Sequence, residues 1–98
     1  MSTPEGKVKR KVSALLAEYG ERVYTYMPVP GGFGAPSLDY LCCVQGKFLA
    51  IETKAPDKKP TGRQGNTIRE MRNAGATVFV IIGDDGLSEL KAWLQANT

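Results

Sequence analysis

Two carboxylates and a lysine are the residues of this sequence whose types and spacing could do chemistry. Glu52 and Lys54 stand two positions apart at the end of the apolar stretch KFLAIETK, and side chains two apart on a β-strand point to the same face. Asp39 belongs to an earlier apolar stretch, LDYLCCV. Two carboxylates without a histidine form a hard oxygen site, which suits Mg²⁺ or Mn²⁺.

The pairing of these two stretches decides whether Asp39 and Glu52 meet. A two-residue turn at Gln45-Gly46 makes a hairpin in which Asp39 lies directly opposite Glu52, and a four-residue loop preserves that pairing. A three-residue loop would place the two side chains on opposite faces. In the favourable register their Cβ atoms start about 4.5–5.5 Å apart. A divalent cation could offset their repulsion and recruit a phosphate oxygen, while Lys54 orients water or stabilises charge.

Helix and strand signals predict the order αβββαβα, which positions these residues. A first helix begins at Thr3-Pro4-Glu5 and ends at Gly20. The strands RVYTYMPV, LDYLCCV and KFLAIETK follow. Thr61 and Gln64 have the spacing of a capping box, so a second helix runs to about Ala74. The stretch ATVFVII predicts a buried strand, and LSELKAWLQA predicts a final helix.

Composition bounds the class of protein. The 98 residues predict one domain, residues 1–98, with a modest core. No apolar run approaches the roughly 20 residues of a membrane helix, and the polar beginning MSTPEGKVKRK lacks a signal core. We therefore expect a cytoplasmic protein with no membrane partner. The stretch PGGFGAPS lacks the ending of a phosphate loop, so no nucleotide cofactor is predicted.

The absent and adjacent residues exclude several chemistries. The chain has no His, which removes zinc fingers, Ser-His and Cys-His pairs and histidine acid–base catalysis. Cys42 and Cys43 have neither a metal-ligand spacing nor a disulfide pattern, and we expect buried thiols in a reducing compartment.

The motifs together resemble the VRR-NUC family of the PD-(D/E)XK nuclease superfamily, particularly its small stand-alone phage members. TPEGKVKRKV is similar to the family's first helix, and MPVPGGFGAPSLDYL to its glycine-rich loop and metal-ligand Asp. GKFLAIETKAPDKKPT is similar to its Glu-x-Lys strand, and TGRQ to the start of its next helix. The family's usual Pro-Asp is Leu38-Asp39 here. The fold implied is α/β: a restriction-endonuclease-like αβββαβ core with a mixed central sheet flanked by helices, plus a C-terminal helix.

The resemblance implies a metal site and a catalytic lysine. Asp39 and Glu52 would hold Mg²⁺ or Mn²⁺, with the backbone carbonyl of Thr53 as a further ligand. Lys54 would be the catalytic lysine. The alternative from local pattern alone is an ion pair between Glu52 and Lys54 at a sheet edge, with Asp39 a turn residue.

Two further residues are assigned by the resemblance and have structural alternatives. Glu5 would be the first-helix acid that approaches the metal, although an acid in the first turn also complements the helix dipole. Gln64 would be a supporting polar residue of the catalytic site, although it also completes a capping box with Thr61.

The partner implied is DNA, cut by a structure-selective endonuclease. Small viral members are similar to homodimeric Holliday-junction (four-way junction) resolvases, which would act in the host cytoplasm if phage-encoded. The formal net charge is +3, and basic residues would bind the phosphates of DNA. The protein would then recognise the backbone and the shape of the DNA and not its sequence. These basic residues are Lys58, Lys59 and Arg63 after the Glu-x-Lys strand, and Lys7, Lys9, Arg10 and Lys11 on the first helix.

Two other classes of function stay open. A non-catalytic nucleic-acid-binding module would keep the fold and basic surface and bind DNA without metal-dependent cleavage. A structural or interaction domain would make the basic residues a solvated surface only, with no effect on DNA affinity.

Overall fold

The computed structural model describes residues 3–29 and 34–98. Residues 1–2, and 30–33 in the predicted glycine-rich loop, lie outside the described residues. The elements follow the predicted order, with a short 3₁₀ turn at Gly20–Arg22 after the first helix. They are helix α1 (Pro4–Ala17), strands β1 (Val23–Tyr26), β2 (Tyr40–Val44) and β3 (Lys47–Lys54), helix α2 (Gly62–Asn73), strand β4 (Thr77–Ile82) and helix α3 (Leu87–Asn97).

The four strands form one mixed sheet in the order β1-β2-β3-β4. Strands β1, β2 and β3 are antiparallel neighbours. Strand β4 pairs with β3 in parallel after the chain crosses through α2, as a parallel connection requires. The predicted mixed sheet flanked by helices is therefore confirmed.

The β2–β3 hairpin has the two-residue turn that the sequence indicates. Gln45 and Gly46 both have positive φ, 49° and 85°, which is the pattern of a type I′ turn. Val44 pairs with Lys47, and the ladder continues to Tyr40 opposite Ile51. One step further in the same register, Asp39 faces Glu52, as predicted.

Helices cover both faces of the sheet and bury β3. The apolar sides of α1 and α3 pack on one face, where Val12, Leu49 and Leu90 are fully buried. Helix α2 packs on the other face through Ile68 against Ala50. Strand β3 is thus covered on both sides from Leu49 to Thr53, which holds its C-terminal end rigidly.

Helix ends are set by local chemistry, with one correction. The Thr3 hydroxyl accepts from Gly6 N–H at 2.9 Å, so the predicted start of α1 is confirmed. Its predicted end at Gly20 is wrong, since α1 ends at Ala17. The N–H groups of the next two residues bond to Leu15 and Leu16, three positions back, which tightens the chain out of α-geometry.

Two burial expectations are also wrong in part. Strand β4 is only partly buried, because it forms the edge of the sheet next to β3. Cys42 is buried, but Cys43 is exposed. Cys43 pairs with Tyr24 and Phe48. These two side chains are 73% and 50% exposed, because α2 leaves this part of the sheet face uncovered.

None of the helices in the described part of the chain is long and apolar enough to span a membrane.

Candidate active site

Asp39 and Glu52 meet where β2 begins and β3 approaches its end. Strand β2 starts at Tyr40, so Asp39 lies just outside the ladder. Its backbone N–H donates to Glu52 Oε1 at 3.2 Å, and the backbone N–H of Thr53 donates to Asp39 Oδ2 at 2.9 Å. Two carboxylates thus satisfy backbone groups that strand pairing leaves free, and both are fixed at one strand end.

Glu52 is the buried acid of the site. Its side chain is 4% exposed, and Lys54 Nζ lies 3.7 Å from Glu52 Oε2. Burial and the negative charge of Asp39 raise the pKa of Glu52 to about 7, although the Lys54 ammonium acts in the opposite direction. The contact between Lys54 and Glu52 confirms that both side chains lie on the predicted face of the strand. Further positive charge near Glu52 would stabilise its ionised form.

Asp39, in contrast to Glu52, has surroundings that favour its ionised form. Its Oδ2 accepts from the Thr53 hydroxyl at 2.7 Å as well as from the Thr53 N–H, and Lys9 Nζ lies 3.2 Å away. Burial would raise the pKa of Asp39, but these hydrogen bonds and the Lys9 charge lower it below its ordinary 3.8. Asp39 is consequently ionised at neutral pH.

Lys9 lies inside the site instead of on an open surface. Its Nζ is 3.1 Å from Glu5 Oε2 and 2.9 Å from Thr53 Oγ1, in addition to its contact with Asp39. Burial alone would lower the pKa of Lys9, but the Glu5 hydrogen bond and the Asp39 charge raise it above 10.5. The prediction from sequence places Lys9 among several phosphate-binding basic residues. Only its four-residue spacing from Glu5 could have indicated this pairing.

The three predicted acids do not surround a single point. Glu5 reaches the site through Lys9, which contacts both Glu5 and Asp39. Within residues 3–29 and 34–98, no three acidic or thiol side chains converge as a group that could hold one ion. Asp39 and Glu52 are therefore adjacent, whereas Glu5 contacts Lys9, and a role for Glu5 as a metal ligand stays a prediction.

The two carboxylates nonetheless fit a divalent cation. Mg²⁺ is usually bound through one or two protein carboxylates, with waters and substrate phosphates completing its shell. Asp39 and Glu52 supply such a pair, and a cation bound beside Glu52 would favour the ionised form that burial and the Asp39 charge disfavour. The backbone carbonyl of Thr53 as a further ligand stays a prediction.

Gln64 stands at the start of α2 and completes a capping box. Its Oε1 accepts from the Thr61 N–H at 2.9 Å, and its own N–H donates to Thr61 Oγ1 at 3.2 Å. The capping alternative is thus confirmed, and a role for Gln64 in the catalytic site stays a prediction.

The basic residues after β3 are exposed. Lys58, Lys59 and Arg63 lie on the loop and the first turn of α2 that follow Lys54 directly. A turn in which the Lys58 N–H donates to the Ala55 carbonyl at 3.0 Å shapes this loop. Their ammonium and guanidinium groups are therefore available to solvent beside the strand end.

The basic residues of α1 have different surroundings. Lys7, Arg10 and Lys11 are exposed. Lys7 and Lys11 line a groove of about 470 Å³ with Pro56 and Asp84, and Lys11 forms an ion pair with Asp84. The acid across the groove partly neutralises its positive charge.

The fold is that of a known class of domain. The chain superposes on a solved structure described as a VRR_NUC domain with a TM-score of 0.76. The match covers 91% of this chain and 95% of that chain at 23% sequence identity. No family model matches the chain, and no match is found among curated proteins. The protein therefore has the α/β fold of a VRR_NUC domain, which supports the resemblance seen in its sequence.

Proposed function

We propose that this protein is a divalent-metal-dependent endonuclease that selects DNA by its structure. One observation carries the proposal: Asp39, Glu52 and Lys54 lie together at one strand end, on the fold of a VRR_NUC domain. Two adjacent acids, one with a lowered and one with a raised pKa, beside an ammonium are a typical composition for a catalytic site.

The roles of the residues follow from their chemistry. Asp39 and Glu52 would hold Mg²⁺ or Mn²⁺, which when bound polarises a phosphodiester and activates a coordinated water. Lys54 supplies a hydrogen-bond donor and a positive charge for the attacking water or for a non-bridging phosphate oxygen. Burial of β3 on both faces holds the Lys54 backbone in place, so little reorganisation is needed when substrate binds.

DNA is the proposed substrate because exposed cations adjoin the site. Lys58, Lys59 and Arg63 follow the catalytic strand and can contact the flanking phosphates, which carry no sequence information. A four-way junction is the proposed structure, and two symmetric cuts would require two sites. A C₂ homodimer supplies two such sites in opposed orientation.

Cleavage of labelled DNA tests the proposal. A four-way junction and a linear duplex of the same sequence are incubated with Mg²⁺, Mn²⁺ or EDTA. We expect metal-dependent cuts in the junction, with Lys54→Met reducing the rate at least about 100-fold. Lys47→Met is the matched control, because Lys47 is the exposed first residue of the same strand.

The other outcomes separate the alternatives. Undiminished cleavage by Lys54→Met, at equal folding, would show that the site is wrongly assigned. Salt-dependent DNA binding without cleavage in any metal would favour the non-catalytic binding module. Sedimentation equilibrium with and without junction DNA tests the homodimer.

A further inference from the structure

The ammonium of Lys9 is engaged by acceptors of the site itself. A lysine has three N–H donors, and three acceptors surround this one: Glu5 Oε2, Asp39 Oδ2 and Thr53 Oγ1, at 2.9–3.2 Å. The Lys9 side chain is 31% exposed, against 53% for Lys11 on the same helix. Lys9 is therefore part of the site's own charge balance.

The backbone of Lys9 is also held by a contact with the sheet. The Tyr40 hydroxyl donates to the Lys9 carbonyl at 2.9 Å, and it also contacts Ser13 Oγ at 2.8 Å. Tyr40 is fully buried on β2, next to Asp39. Helix α1 is thus anchored to β2 at the residue whose side chain reaches Asp39, so the contact between Lys9 and Asp39 is built into the packing.

Two of the three acidic charges around Asp39 are offset by lysines without a metal. Glu5, Asp39 and Glu52 are acids, and Lys9 and Lys54 are cations. A dication bound at Asp39 would lie close to the Lys9 ammonium, and like charges a few ångströms apart repel in a partly buried site. Phosphate oxygens arriving with DNA would relieve that repulsion.

We propose that Lys9 is the internal counter-ion of Asp39, which holds metal affinity down until DNA binds. Lys9 acts through Asp39 and is a positioning residue. The inference rests on the proposed function, because the divalent cation is the one proposed there. It adds a form of regulation: binding of metal and binding of DNA promote each other, by the same factor in both directions.

A Mn²⁺ titration without DNA tests the inference. Calorimetry compares the wild type with Lys9→Met, which keeps the length of the side chain and removes its charge. We expect about tenfold tighter Mn²⁺ binding by Lys9→Met, since a nearby repulsive charge is lost. Lys9→Arg keeps the charge and should bind as the wild type does.

Matched controls separate a charge effect from a structural one. Lys11→Met breaks another lysine–aspartate pair on the same helix, with Asp84, and should leave Mn²⁺ affinity unchanged. If Lys9 served only to hold Asp39 in place, Lys9→Met would weaken Mn²⁺ binding. If Lys9→Met does not fold, Lys9→Gln replaces it, because its amide still donates to Asp39 without the charge.

The outcomes distinguish this inference from the proposed function. Absence of a Mn²⁺ isotherm both in the wild type without DNA and in Lys54→Met with junction DNA would overturn the metal-dependent function and this inference with it. Mn²⁺ binding by the wild type with equal or weaker binding by Lys9→Met would overturn the role of Lys9 alone. Mn²⁺ should increase the DNA affinity of the Lys54→Met variant. This increase should be smaller in the double variant in which Lys9 is also replaced by Met.

Discussion

The backbone N–H of Asp39 donates to the carboxylate of Glu52 at 3.2 Å, so the main chain of one acid holds the side chain of the other. The Asp39 carboxylate is turned instead toward Thr53 and Lys9. One acid is therefore stabilised in its charged form, with its pKa lowered, and its neighbour is not, with its pKa raised. Such a divergence between two adjacent carboxylates is typical of sites that take a cation or a proton.

Stability of the metal-free protein should fall with rising pH because of Glu52. The pKa of Glu52 is about 7 in the folded protein and 4.5 ordinarily, so between these values the folded state binds a proton that the unfolded state lacks. The free energy of unfolding should then decrease by up to about 1.4 kcal/mol for each pH unit from about 4.5 to 7. Urea titrations in EDTA at pH 5, 6, 7 and 8 measure it.

Glu52→Gln is the variant that identifies the group. Because the Gln side chain cannot ionise, the free energy of unfolding of this variant should depend less on pH across the same window. The chain has no His to titrate there, and the lowered pKa of Asp39 places its own loss of stability below pH 3.8. Asp84→Asn, which removes an exposed acid, should keep the wild-type slope. An unchanged slope in Glu52→Gln would contradict the assignment.

The hydroxyl of Thr53 should contribute to the stability of the folded protein. It donates to Asp39 Oδ2 at 2.7 Å and accepts from Lys9 Nζ at 2.9 Å. Thr53→Val keeps the shape and the strand preference but removes both bonds, and should cost about 1–3 kcal/mol of stability. Thermal or urea unfolding measures the loss.

A second variant and a cycle make the Thr53 prediction specific. Thr53→Ser keeps the hydroxyl and loses one methyl group, which costs about 1 kcal/mol. Its deficit should come from packing, so only Thr53→Val should show a coupling energy with Lys9→Met in a double-mutant cycle. Purely additive losses for Thr53→Val and Lys9→Met would show that the bond between them contributes nothing.

Much of the fold could be predicted because local signals agree with it. The Thr3 cap, the Thr61–Gln64 box and the Gln45-Gly46 turn each specify a boundary by short-range chemistry. The register that places Asp39 opposite Glu52 follows from that turn alone, since a two-residue hairpin loop fixes all later pairs. Partial burial of β4 could not be predicted in the same way, because an apolar run does not show whether its strand is central or at an edge.

The candidate site could be predicted only in its strand residues. Asp39, Glu52 and Lys54 lie on two strands joined by a tight turn, so their proximity is a local property. Lys9 reaches Thr53 across 44 positions of the chain, and this contact depends on how α1 packs against the sheet. Apart from its four-residue spacing from Glu5, nothing in the sequence distinguishes Lys9 from the three basic residues near it.

The capping box at α2 should account for a measurable part of the protein's stability. Gln64 Oε1 accepts from the Thr61 N–H at 2.9 Å, and Gln64→Ala removes this bond, so we expect a loss of about 1 kcal/mol. Gln64→Glu preserves the box, because a carboxylate accepts the same bond, and should restore stability. Equal losses in both variants would mean that the cap is not the cause.

Lys58 and Lys59 should contribute to DNA affinity through phosphate contacts. Both side chains are exposed on the loop that follows Lys54. Replacing both by Gln should weaken binding of junction and duplex alike, and should reduce the slope of log affinity against log salt by about 2. Fluorescence anisotropy at several salt concentrations measures the slope. Lys47→Gln combined with Lys91→Gln is the matched control, because it removes the same charge from exposed positions on the hairpin and on α3. If the control changes the slope as much, the contribution comes from net charge and not from these two lysines.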